Sequence, residues 1–88
     1  MQTTDSQKVV KRFFDALHRL KDDKVIRGKQ TFTRQFDINR WNMNTLEKDL
    51  SSDIFQPAWL TYLVESYGVS ANWLLTGRGE FYQKKKVG

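Results

Sequence analysis

The chain has 88 residues, 39% of them apolar and 14% aromatic, with a formal net charge of +5. That suffices for one domain with one modest core and argues against disorder. There is no cysteine and a single histidine, His18, which excludes disulfides and thiolate metal sites and removes most zinc and triad chemistry.

The first predicted helix runs from about Asp5 to Asp22, where Val10, Phe13, Phe14, Leu17 and Leu20 recur at three- and four-residue spacing. Thr4 followed by Gln7 has the form of a capping box. His18 reads as a surface or boundary histidine rather than a ligand. Asp22 and Asp23 read as the polar end of the helix, because adjacent helical side chains diverge by about 100° and do not share a site.

Gly28 breaks the chain. A second helix then extends to Gln35 or Phe36, with Phe32 and Phe36 on its buried face. Asp37-Ile38-Asn39 forms a turn. Asp tolerates the left-handed conformation better than most residues, and Asn39 suits the N-cap of a third helix, Arg40 to about Lys48. Around that helix Met43, Leu46 and Leu50 fall within about 60°, whereas Arg40, Asn44, Lys48, Trp41 and Thr45 spread over about 140° of the opposite side. A short helix with a narrow apolar anchor and an outer face of this kind matches what reading a DNA major groove requires.

Residues 49–56 read as a loop, and Pro57 suits the first position of a fourth helix. Leu60, Leu63, Val64 and Tyr67 give that helix its stripe, and Gly68 is its stop. Ser70 caps a fifth helix, Ala71 to Thr76, anchored by Trp73 and Leu74 and ended by Gly77. Phe81 and Tyr82 either pack back on the bundle or extend outward as an edge. Trp59, Trp73, Tyr62 and Tyr67 read as core or half-buried packing, or as a dimer surface. No β-alternation, internal repeat or low-complexity block is present. The expected architecture is an all-α five-helix bundle, a single domain over residues 1–83 with a flexible basic tail at 84–88.

Positive charge is concentrated rather than spread. Residues 24–48 hold six basic groups (Lys24, Arg27, Lys29, Arg34, Arg40, Lys48) against two acidic ones (Asp37, Glu47), and Lys84, Lys85 and Lys86 follow in the tail. A polyanionic partner is the natural expectation. No run approaches the roughly 18 apolar residues of a membrane span, and MQTTDSQK lacks the apolar core of a signal peptide. A cytoplasmic location is therefore expected, with no membrane partner, small-molecule substrate, cofactor or metal.

Two blocks carry a family resemblance. In Lys29–Glu47, Phe32, Ile38, Met43 and Leu46 stand where buried aliphatics are usual, and Glu47 where a glutamate often ends the recognition helix. The second, more specific block is Gly68-Val69-Ser70-Ala71-Asn72-Trp73-Leu74-Leu75-Thr76-Gly77-Arg78-Gly79-Glu80. Together they resemble the phage-repressor (λ-repressor-like, Xre-type) DNA-binding domains over about residues 6–82. The resemblance implies a helix-turn-helix from the second and third helices, a regulatory role in transcription, double-stranded DNA as partner, a two-fold homodimer as a further one, and no catalysis. Two positions depart from the pattern. Thr33 stands where a small Ala is usual and Asp37 where Gly is usual, and both bear on the docking geometry.

On this basis Arg40, Trp41, Asn44 and Thr45 are the expected base contacts. Arg suits guanine O6 and N7, and Asn suits adenine N6 and N7. Lys29, Arg34, Asn42, Lys48 and Arg27 are the expected phosphate contacts. Trp41 has two readings: contact with a thymine methyl or the sugar-phosphate wall, or packing on loop 49–56. The alternative function is a protein-interaction module on the same fold that uses the Trp41 face.

Overall fold

The computed structural model describes residues 4–50, 52 and 54–83. The helices are α1 (Thr4–Asp22), α2 (Lys29–Gln35), α3 (Arg40–Lys48), α4 (Ala58–Tyr67) and α5 (Ala71–Thr76). The described residues form no strand. A single antiparallel bridge joins Val69 to Tyr82. The Cα radius of gyration is 12.8 Å, close to the roughly 12 Å of a compact chain of this length.

The long apolar stripe of α1 makes it the central element. Val10, Phe13, Phe14, Ala16, Leu17 and Leu20 are all buried, and α1 packs on both α2 and α5. Phe13 is the hub. Its ring meets Phe14, Phe32 and Phe55 edge-to-face at 5.1, 5.6 and 5.5 Å, and Trp59 at 5.9 Å. These contacts draw α1, α2, the 49–56 loop and α4 onto one ring, and each such aromatic pair adds about 0.5–1.5 kcal/mol beyond its buried area.

Local chemistry sets the helix ends. After α1, Lys24 adopts a left-handed conformation (φ 63). The amides of Val25 and Ile26 turn back to the Leu20 carbonyl, and Ile26 is buried. After α2, Asp37 is left-handed (φ 54), and the Ile38 amide closes on the Thr33 carbonyl at 2.8 Å. Gly68 and Gly77 end α4 and α5 in the left-handed region, as expected of a C-terminal glycine. Pro57 stands one place earlier than expected. It occupies the N-cap of α4 and the helix begins at Ala58, so its rigid φ sets the entry rather than the first turn. Helix α1 likewise starts at Thr4 rather than Asp5, and the capping-box expectation falls on the Thr4 side chain, outside the described part.

The C-terminal segment packs back on the bundle. Phe81 is buried, with Trp73 edge-to-face at 4.8 Å and the Arg19 guanidinium 4.7 Å above its ring. The Tyr82 hydroxyl donates to Asp23 at 2.7 Å. Burial and that contact together push the Tyr82 phenol up to about 12. Trp73, expected as a core anchor, is only half-buried, and Leu74 fills the core beneath it. Arg12 ties the two ends of the fold together. Its Nε donates to the Leu74 carbonyl and its Nη2 to the Leu75 carbonyl, both at 2.8 Å, so a cation from α1 satisfies the orphan carbonyls of α5. The expected tail, 84–88, lies outside the described residues, and no described helix is long and apolar enough to cross a membrane.

Candidate nucleic-acid interface

Helix α3 is held on three sides and open on the fourth. Its inner face is the pair Met43 and Leu46, both buried in the core, with Leu50 half-buried just beyond. Its N-terminus is capped by Asn39, whose Oδ1 accepts from the Trp41 amide at 2.8 Å and the Asn42 amide at 3.3 Å. The third restraint is ionic. Glu47 pairs with Lys29 of α2 and lies 3.3 Å from the His18 ring of α1. Burial alone raises the Glu47 carboxyl. Hydrogen bonds and charge from Lys29 and His18 outweigh it and hold the group below its ordinary value.

The open side carries the expected base contacts. Arg40, Trp41, Asn44 and Thr45 are all exposed, as is Lys48 at the helix end. They form two stripes at i, i+4 spacing. Arg40 and Asn44 line a cleft of ≈ 170 Å³ between α2 and α3, together with Lys29, Gln30, Thr33 and Met43. Trp41 and Thr45 lie on the outer flank, away from that cleft. Trp41 is 78% exposed, which decides its placement. It does not pack on the described residues of loop 49–56, and the ring of that loop that packs against the core is Phe55, on Phe13 and Trp59.

The expected phosphate contacts separate by their partners. Arg27, Arg34 and Lys48 are exposed and carry no side-chain partner among the described residues. Asn42 is half-buried, its amide already taken by Asn39. Lys29 is held by Glu47, so its charge is largely spent within the protein. Arg27 and Arg34 are not among the residues lining the cleft.

Thr33 is almost wholly buried, and its hydroxyl donates to the Gln30 carbonyl at 3.1 Å. The polar atom that an Ala would lack is thereby satisfied inside α2. Sequence reasoning missed Gln30 as a cleft residue and the cluster of Glu47, Lys29 and His18. The first had a signal, its place in the first turn of α2. The second had none, because its members stand 18 and 29 residues apart. Among the described residues no group of three or more His, Cys, Asp or Glu is arranged to hold a metal ion. Comparison with known protein families, curated proteins and solved structures gives no match for this chain.

Proposed function

We propose that this chain is a sequence-specific double-stranded-DNA-binding domain of the λ-repressor-like, helix-turn-helix kind, acting in transcriptional regulation without catalysis. Helix α3 enters the major groove and α2 lies across it. One observation carries the reading. An outer face of Arg40, Trp41, Asn44, Thr45 and Lys48 stands entirely exposed on a helix whose other sides are fixed by core burial, a side-chain cap and an ion pair. A helix pinned this firmly presents its outer side chains in fixed register, which base readout needs and a mere solvated face does not. Arg40 and Asn44 have the donor and acceptor geometry for base edges. Arg27, Arg34 and Lys48 supply positive charge for the backbone, with Asn42 as an uncharged contact and Lys29 chiefly positioning α3. The expected two-fold dimer fits operators built of paired half-sites.

The test is a fluorescence-anisotropy titration against a random duplex library at two salt concentrations, with sequencing of the retained DNA. A selected motif whose affinity falls steeply with salt and is weakened in Arg40→Ala is the expected result. Absence of retention at low salt defeats the proposal. A second reading has one observation in its favour, the 78% exposure of Trp41: a protein-interaction module on the same fold. It requires partner binding that Trp41→Ala abolishes and Arg40→Ala leaves unchanged.

A further inference from the structure

Trp41 is the one residue of the outer face whose chemistry is not that of a polar reader. An indole carries a single N–H donor and no acceptor, so it cannot make the paired hydrogen bonds by which Arg40 and Asn44 discriminate bases. It offers a large apolar plane, 78% exposed, far more than a lone surface tryptophan ordinarily leaves in water. Its backbone is fixed, because the Trp41 amide donates to Asn39 Oδ1 at 2.8 Å in the first turn of the helix. With only two side-chain torsions it is also stiff enough to act as an anchor. Thr45 stands one turn on, exposed on the same stripe.

The surroundings select the partner. The outer face carries Arg40 and Lys48, both exposed, and Arg27 and Arg34 add exposed positive charge in the same stretch of chain, so it suits a polyanion rather than an apolar protein surface. In a DNA major groove the exposed apolar group on a base edge is the thymine 5-methyl. We propose that Trp41, backed by Thr45, reads the 5-methyl group of thymine and thereby sets specificity for T over C beside the base pairs read by Arg40 and Asn44. This rests on the duplex-DNA reading above.

Deoxyuridine tests it, because it keeps every hydrogen-bonding atom of thymine and lacks only the methyl. Each thymine of the selected duplex is replaced singly, and affinities are measured for the wild-type chain, Trp41→Ala and Arg40→Ala. At one or two positions the replacement should weaken wild-type binding about fourfold, the effect of losing one buried methyl-sized group. Trp41→Ala should bind thymine and deoxyuridine alike at those positions, and Arg40→Ala should bind more weakly while keeping the wild-type ratio. Trp41 lies outside the core, so the variant should keep the wild-type melting curve by circular dichroism. Equal binding of thymine and deoxyuridine by wild type overturns the proposal, as does a Trp41→Ala variant that retains the ratio or a selected motif without thymine. In all three cases the DNA reading survives. Failure to retain any duplex overturns both.

Discussion

On the proposed duplex-DNA reading, removing the negative charge of Glu47 should make binding more sensitive to salt, because it frees a cation that the fold now neutralises. Of the expected phosphate contacts, the cations that carry no side-chain partner among the described residues are Arg27, Arg34 and Lys48. Each phosphate neutralised contributes about 0.9 to the slope of log K against log salt, so three give about −2.7 per protomer and an affinity loss of about fortyfold between 50 and 200 mM salt. Arg27→Gln, Arg34→Gln and Lys48→Gln should each flatten the slope by about 0.9. Lys29→Gln should leave it nearly unchanged, because Glu47 already neutralises that ammonium. In Glu47→Gln the Lys29 charge becomes available at the start of α2, which the proposed docking sets against the DNA backbone, and the slope should steepen by about 0.9. Anisotropy titrations of the selected duplex at four or five salt concentrations measure all five variants. If Lys29→Gln flattens the slope as much as Arg34→Gln does, or Glu47→Gln leaves it unchanged, the assignment of Lys29 to Glu47 in the bound state is wrong.

Three further outcomes concern the scaffold. Arg12→Ala removes two hydrogen bonds from a cation to the last carbonyls of α5; it should cost about 2–3 kcal/mol in urea unfolding and lower the melting temperature by about 10–20 °C, and a loss below about 0.5 kcal/mol would mean that water replaces the guanidinium without penalty. Asn39→Ala strips two amides of their cap and should cost about 1 kcal/mol, with faster amide exchange at Trp41 and Asn42 as the local signature. The Glu47 carboxyl sits below its ordinary value of 4.5 in the folded chain, so its pairing contributes stability above that pH and loses it as pH falls through the lower folded value. The stability gap between wild type and Glu47→Gln, about 0.2–1 kcal/mol at neutral pH for a partly exposed pair, should therefore close in acid. A gap that persists once the carboxyl is protonated in both the folded and unfolded chain would assign it to packing instead.

What the sequence makes legible here is the chemistry of near neighbours. Asp37 and Asn39 announce the turn between α2 and α3 because a left-handed residue and a side-chain cap are local requirements, and both residues fill the expected roles. Gly68, Ser70 and Gly77 mark their helix ends for the same reason. The exposed stripe of α3 follows from 3.6-residue periodicity once Met43 and Leu46 are recognised as the anchor. Pro57 was displaced by one position because a fixed φ near −60° serves an N-cap in the helical region as well as a first turn. Phe55 and Ile26 are apolar residues in stretches without periodicity, so nothing local marked them for contact with the core.

Arg12 and Glu47 illustrate the limit on the functional side. Read as charges in a row, Lys29, Arg34 and Arg40 are equivalent members of a basic patch. Folding makes them unequal, since an acid 18 residues from Lys29 neutralises one and leaves the others facing water. Arg12 is likewise a surface cation by sequence and a structural one in the fold, committed to carbonyls 62 and 63 residues away. Net charge can therefore point to a polyanion, but the number of phosphates engaged depends on which cations the tertiary structure has already used. That number is what the salt slope measures, and Glu47 is the residue whose removal changes it in the direction opposite to every lysine or arginine substitution.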